Sequence, residues 1–171
     1  SVSDENYVYF GKYGYLDSDS AYGPLDRGLD MVIARFPVRT PNEVAVVMDK
    51  VISYEKTPEF GTWRNLITLV ADDEFTRESS SEAFHTQDTE ELAKFHVPSS
   101  FNLSKIYLME YPFDFKGEKP EAEETIINAF NSGTLIINYM GHGNPDVWSH
   151  EKVFKRSQDI PRLDNKRKLP L

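Results

Sequence analysis

The feature that most constrains the fold of this chain is a regular alternation of strand-like and helix-like segments from residue 30 onward. Apolar runs typical of strands occur at 30–38, 65–74, 105–111 and 134–140. Segments that favour helices separate them, at 40–56, 79–96 and 119–133. The run NLITLVADDE is almost continuously apolar before its acids, as in strands buried on both faces. This alternation predicts an α/β fold, in which helices cover both faces of a mostly parallel sheet.

Residues 40–56 form the best defined local element of the sequence. Thr40 can cap a helix, Pro41 stands at its first position, and Glu43 completes a capping box. Apolar residues then repeat at helical spacing, which predicts a stripe packed into the core: Val44, Val47, Met48, Val51 and Ile52.

Overall charge and hydropathy exclude several classes of partner. The net charge is −9, so the acidic surface disfavours nucleic acid. No apolar run approaches the roughly 18 residues that a membrane span needs. The start SVSDENYVYF lacks the basic flank and apolar stretch of a signal peptide. Origin from a longer, secreted precursor stays open. The end, KLPL at 168–171, reads like the beginning of a further strand.

Polar residues follow two of the predicted strands directly. One strand ends at Asp72-Asp73-Glu74 and the other at Gly141-His142-Gly143. Because the carboxyl ends of parallel strands meet at one edge of a sheet, where ligands bind, we expect the acids and the histidine to lie close together.

His142 has three interpretations from its sequence context. It can belong to a structural turn, it can ligate a metal with His150 and the acids at 72–74, or it can be half of a catalytic pair. Gly141 would permit unusual dihedrals at the strand exit, and Gly143 would expose a backbone N–H. An exposed imidazole beside such an N–H suits acyl transfer.

Two hydrolase motifs are missing. HEKVF at 150–154 is not HExxH, and no G-x-S-x-G nucleophile elbow occurs. The sequence therefore predicts neither a cofactor nor a metal ligand. It predicts a surface-helix start at His150 and Glu151. His85 could face solvent or line the cleft, and Trp148 could be core or pocket wall.

The chain also contains no cysteine, so any thiol chemistry must be completed from outside it.

Three segments of the chain resemble those of a known family. INYMGHGNPDVW resembles the histidine motif of gingipain-type cysteine peptidases, bacterial relatives of caspases. VIARFPVRTPNEVAVVMDKVISYE is similar to the upstream strand and helix of that family, and LDNKRKLPL to the lead-in to its cysteine-bearing strand.

The resemblance implies a caspase-like three-layer sandwich and a division into two subdomains. Residues 1–60 would be the C-terminal part of the first subdomain, and residues 61–171 the N-terminal part of the second, which bears the histidine. His142 would be the general base and acid of a Cys-His dyad, and the Gly143 N–H would be an oxyanion donor. Asp73, with Glu74 as the alternative, would orient the histidine. The cysteine would lie shortly beyond Leu171, so the chain alone should be inactive.

Within the family, WRNLITLVADDE, the His85 segment and VWSHEKVF look most like the sortases of the type IX secretion system. Those enzymes cleave C-terminal sorting domains from exported cargo at the outer membrane surface. The implied partners are thus cargo peptides and other secretion components, at the outer face of a bacterial outer membrane or in the medium. A free gingipain-like protease is the alternative within the family. A non-enzymatic surface scaffold with a degenerate peptidase fold is the alternative outside it.

Overall fold

The computed structural model describes Phe36, residues 38–73 and residues 84–170. The chain divides into two compact units, residues 1–49 and 50–171. The strand predicted at 30–38 lies largely outside the described residues, as do Glu74 and residues 79–83 of the second predicted helix. The subdomain boundary between residues 60 and 61 stays a prediction.

The first helix, α1, runs over Pro41–Lys56 and begins as its capping residues predict. The Thr40 N–H donates to Glu43 Oε2 at 2.9 Å, and the Glu43 N–H donates to Thr40 Oγ1 at 3.2 Å. The expectation that its apolar stripe is buried is wrong. No residue of α1 is buried, and Val44 and Ile52 are exposed. Helical spacing reports an apolar face, whereas burial also needs a partner for that face.

A three-stranded parallel sheet forms the centre of the second unit. Its strands are β1 (Leu66–Ala71), β2 (Asn102–Tyr107) and β3 (Ile136–Met140), in the order β2-β1-β3. A short 3-10 helix, Thr62–Asn65, leads into β1. At the carboxyl edge, Ala71 pairs with Tyr107 on one side and with Met140 on the other. The ends of β1 and β3 are therefore neighbours.

Two helices cover the two faces of this sheet. Helix α2 (Phe84–Phe95) packs Ala93 against Ile67 and Leu69 of β1. Helix α3 (Pro120–Ser132) buries Ile126 and Ile127 in a cluster that contains Val70, the next residue of the same strand. Successive strand residues point to opposite faces, so each face carries one helix. The predicted α/β class, with helices on both faces of a parallel sheet, is confirmed.

The bounds of helix α3 lie within one residue of the predicted range, 119–133, at each end. Pro120 stands in its first turn, and Gly133 ends it with a φ of 95°, a conformation that glycine adopts without strain.

The chain after β3 forms a small antiparallel pair, β4 (Val147–Trp148) with β5 (Phe154–Lys155). A short helix, α4 (Arg156–Asp159), and 3-10 turns at Leu108–Glu110 and Ile160–Arg162 complete the described elements. The predicted surface-helix start at His150 and Glu151 is wrong, because these residues lie in a turn between β4 and β5. Residues 168–170, expected to open a strand, have no regular structure. Among the described residues, no helix is long and apolar enough to cross a membrane.

Candidate active site

The two polar strand ends meet at the carboxyl edge of the sheet, as their sequence positions predict. The Asp72 N–H donates to the Met140 carbonyl at 2.9 Å, which extends the β1–β3 ladder by one bond. The His142 N–H in turn donates to Asp72 Oδ2 at 3.0 Å. Backbone pairing and a side-chain bond thus fix the acid against the backbone of the histidine.

The imidazole of His142 combines an exposed ring with a buried acid. Its side chain is 55% exposed, and its Nδ1 lies 3.7 Å from Oδ2 of the fully buried Asp72. That distance is longer than a hydrogen bond, but it is short enough for a carboxylate to stabilise a positive charge on the ring. The exposed part of the ring can therefore accept a proton, while the buried Asp72 carboxylate stabilises the charged ring.

Asp73 has a charged partner that its sequence position did not predict. Its carboxylate forms an ion pair with Lys119 Nζ, and both side chains are almost completely buried. The same Nζ donates to the Leu108 carbonyl at 2.7 Å and lies 4.4 Å from the centre of the Phe113 ring. Buried charges need such pairing, so Asp73 and Lys119 form a structural pair behind the sheet edge. The acid whose carboxylate contacts the His142 imidazole is Asp72.

Gly141 is required here by close packing rather than by its dihedral angles. Its φ lies outside the left-handed region, contrary to the expectation of unusual dihedrals. A Cβ at this position would stand 2.3 Å from the Asp72 Cβ and 2.6 Å from the Tyr139 hydroxyl. The absence of a side chain therefore lets the chain before His142 pass directly over Asp72.

Gly143 lies opposite Trp148 of β4, but its backbone N–H points away from that strand. It forms an isolated antiparallel bridge with Trp148, flanked by bonds from the Ser149 N–H to the His142 carbonyl at 2.8 Å and from the Asn144 N–H to the Val147 carbonyl at 3.0 Å. In this pattern Gly143 is a residue of the non-hydrogen-bonded type, whose own N–H points outward. Gly143 is exposed, so its outward N–H can donate a hydrogen bond to an oxygen atom of a ligand.

Tyr139 and Trp148 hold the loop that carries His142. Their rings stack at 4.5 Å with an interplanar angle of 10°, and the Tyr139 hydroxyl donates to the His142 carbonyl at 2.6 Å. Burial and the Asp72 charge raise the pKa of Tyr139, so its hydroxyl stays a donor. Trp148 also contacts Phe154 of the core at 4.9 Å between ring centres. It is partly buried and serves as core and as support for the loop.

Two further residues, His85 and Glu151, approach this edge of the sheet. The ring centre of His85, on α2, lies 5.1 Å from that of His142. Glu151 is 2% exposed, and its Oε2 has no hydrogen-bond partner among the described residues. Burial raises the pKa of Glu151, and the charges of Asp72 and Asp73 act in the same direction. The sequence left open whether His85 faces solvent or lines the cleft. It predicted Glu151 at the surface, whereas Glu151 is buried.

Two groups of side chains have the donor atoms and proximity to hold a cation. Asp72, His85 and His142 form one, and Asp72, Asp73 and Glu151 the other, with the ligand atoms of each group within 4.8 Å of one another. His150, part of the metal interpretation of the sequence, has its ring centre 6.0 Å from that of His142.

Comparison with protein families gives one match over nearly the whole chain. The model described as peptidase family C25 matches residues 3–171. Gingipain R2 and gingipain R1 of Porphyromonas gingivalis are each 25% identical over an alignment of 158 residues, and each alignment covers 85% of this chain. The chain spans only 20% and 15% of the length of those relatives.

Solved structures give the same fold. The crystal structure of the Arg-specific cysteine proteinase gingipain R matches with a TM-score of 0.58 at 23% identity, over 86% of this chain and 32% of that one. The complex of the pro- and mature domains of RgpB from Porphyromonas gingivalis matches with a TM-score of 0.50 at 21% identity, over 78% of this chain and 29% of that one. The caspase-like three-layer arrangement, α2 and α3 on either side of the sheet, is thereby confirmed.

Proposed function

The chain belongs to peptidase family C25, and on this basis we propose that it carries the acid–base half of a cysteine endopeptidase site. One observation above all supports the proposal. An exposed imidazole, that of His142, stands beside a buried carboxylate and one residue before an outward-facing backbone N–H. This combination suits acyl transfer.

In the proposed reaction a cysteine from outside these 171 residues supplies the nucleophile, since the chain contains none. His142 accepts the thiol proton, and the thiolate attacks the carbonyl carbon of the peptide bond. The Gly143 N–H donates a hydrogen bond to the oxygen of the tetrahedral intermediate. His142 then delivers the proton to the leaving amine, and water hydrolyses the thioester with the same histidine as base.

We assign the supporting acid of this site to Asp72 in place of Asp73. The Asp72 carboxylate holds the His142 backbone at 3.0 Å and faces its ring at 3.7 Å. The Asp73 carboxylate is neutralised by Lys119. A buried carboxylate next to the ring stabilises the imidazolium that forms during proton transfer, and it holds the ring in position.

For the substrate, we propose exported cargo with a C-terminal sorting domain, cleaved by a sortase of the type IX secretion system. The sequence segments WRNLITLVADDE and VWSHEKVF support this assignment. Gingipain R is named Arg-specific, but the sequence offers no clear counterpart of an acid that would bind a basic side chain. The proposed location is the outer face of the outer membrane or the extracellular medium.

The assignment of residues is tested by kinetics on the protein that contains this chain. We expect His142→Ala to lower kcat for cleavage of a cargo C-terminal peptide by about 10²–10⁴-fold. Asp72→Asn removes a charge-assisted interaction of about 1.5–3 kcal/mol and should lower kcat by roughly 10–10²-fold with little change in KM. Asp73→Asn should mainly lower the free energy of unfolding, because it removes the buried partner of Lys119. His96→Ala, at an exposed residue just beyond the C-terminal end of α2, is the control.

Three results would contradict the proposal. Full cleavage by the His142→Ala variant would exclude the dyad. A larger loss of kcat in folded Asp73→Asn than in Asp72→Asn would return the supporting role to Asp73. Cleavage of short Arg or Lys amides with no cleavage of the cargo peptide would indicate a free protease instead of a sortase. If neither substrate is cleaved and the cargo still binds, the protein is a scaffold.

A further inference from the structure

From the positions of Asp72, His85 and His142 we infer that these residues form a binding site for a Zn²⁺-like transition-metal ion. They come from three different elements, namely the end of β1, the first turn of α2 and the end of β3. One ligand atom of each lies within 4.8 Å of the other two. No sequence motif joins them, because metal-ligand spacing appears only when the sheet brings the elements together.

The separation of the ligand atoms suits a tetrahedral ion. Metal–ligand bonds of about 2.0–2.1 Å at the tetrahedral angle place two ligand atoms about 3.3–3.4 Å apart. His142 Nδ1 and Asp72 Oδ2 are 3.7 Å apart, so this pair would contract by a few tenths of an ångström. The ligand atom of His85 lies within 4.8 Å of both and would move toward them on binding. The rings of His85 and His142 are inclined by 72°. Such inclined rings can aim in-plane lone pairs at one point, which stacked rings cannot.

The donor set selects the class of metal. Two imidazoles and one carboxylate are typical ligands of Zn²⁺ in sites that keep a fourth position open. Mg²⁺ and Ca²⁺ prefer all-oxygen surroundings and are disfavoured here. Zn²⁺ and its neighbours in the transition series thus fit, with the fourth position left to water or a substrate atom.

The surroundings hold the carboxylate in place and leave a route for the ion. Asp72 is fully buried, and its Oδ2 accepts the His142 N–H at 3.0 Å and lies 3.5 Å from the Tyr139 hydroxyl. Partners of this kind orient a ligating carboxylate. The ring of His142 is more than half exposed, so an ion can reach the site from solvent.

Metal binding here has a consequence for the proposed peptidase, and that consequence rests on the proposed function. A metal on His142 occupies a ring nitrogen and abolishes the ability of the imidazole to accept the thiol proton. The site would therefore act as a reversible metal-dependent brake on cleavage. The binding itself does not depend on the protein being a peptidase.

The experiment is a calorimetric titration of Zn²⁺ into the 171-residue chain, with circular dichroism to confirm that each variant is folded. We expect one site, with at least tenfold weaker binding in His85→Ala, in His142→Ala and in Asp72→Asn. His96→Ala is the matched control, since His96 lies just beyond the other end of α2, and its affinity should equal that of the wild type. Mg²⁺ should not compete.

Equal affinity in wild type and folded His85→Ala would overturn the site, as would a loss in His150→Ala that His85→Ala does not share. An equal loss in His96→Ala would show non-specific histidine binding and would also overturn it. Failure of this inference is separable from failure of the proposed function. Zn²⁺ binding by the chain, with no cleavage by the metal-free protein that also carries the cysteine, would sink the peptidase alone. Cleavage by that metal-free protein that needs His142, with no Zn²⁺ binding by the chain, would sink the site alone.

Discussion

Replacing Lys119 by Met is expected to be among the most damaging single changes to the stability of this fold. Lys119 is 1% exposed, and its ammonium bonds the carboxylate of Asp73, which is 0% exposed. Methionine keeps most of the apolar stem but removes the charge. The change leaves the carboxylate buried without its cation and the Leu108 carbonyl without its donor at 2.7 Å.

The magnitude follows from the burial of both groups. Removing one partner of a buried ion pair costs about 3–5 kcal/mol, because the remaining buried charge loses the opposite charge that offsets its desolvation. For a chain of this size about 2–4 °C of Tm is lost for each kcal/mol, so a fall of roughly 6–20 °C is expected. Lys105→Met is the matched control. Its ammonium contacts Glu90 at 2.5 Å, but the two side chains are 36% and 48% exposed, so the cost should stay below about 1 kcal/mol.

Urea unfolding of the wild type, Lys119→Met, Asp73→Leu and the double variant gives the coupling between the two charges. The double variant should cost less than the sum of the single changes, because it removes both buried charges together. A cost below about 1 kcal/mol for Lys119→Met, or a double variant whose cost equals the sum, would refute the argument that burial makes this pair indispensable.

Three further predictions concern the sheet edge. Gly141→Ala should destabilise the fold by about 1–3 kcal/mol, since its Cβ would stand 2.3 Å from that of Asp72; an unchanged urea midpoint would contradict this. Tyr139→Phe should cost about 1 kcal/mol and speed amide exchange at His142, because it removes the hydroxyl bond to the His142 carbonyl; wild-type exchange would argue against that anchor. Because the pKa of Glu151 is raised by burial, the folded state holds its proton above pH 4.5, and stability should fall as pH rises from there. Glu151→Gln should remove this fall when unfolding is compared at pH 4.5 and pH 7.5, and an unaltered pH slope would exclude Glu151 as its source.

Much of the architecture could be predicted from local patterns. The helix over Pro41–Lys56 follows from its capping box, and the end of α3 follows from Gly133. The meeting of two polar strand ends follows from the alternation of strands and helices, since parallel strands finish at one edge. The burial of the α1 stripe did not follow, because periodicity identifies an apolar face and cannot say what covers it.

What the sequence determined by itself was therefore the fold class, the sheet edge at which the two polar strand ends meet, and the position of His142 and Gly143 at that edge. Only the tertiary structure decided which acid faces the imidazole. Successive residues of an extended chain point in opposite directions, so a difference of one position separates Asp72 beside His142 from Asp73 bound to Lys119. Lys119 is 46 residues from Asp73, and no local pattern reveals a pairing at that distance. Gly141 is a second example. Its sequence context suggested that the backbone dihedral angles require glycine, whereas the structure shows that close packing against Asp72 does.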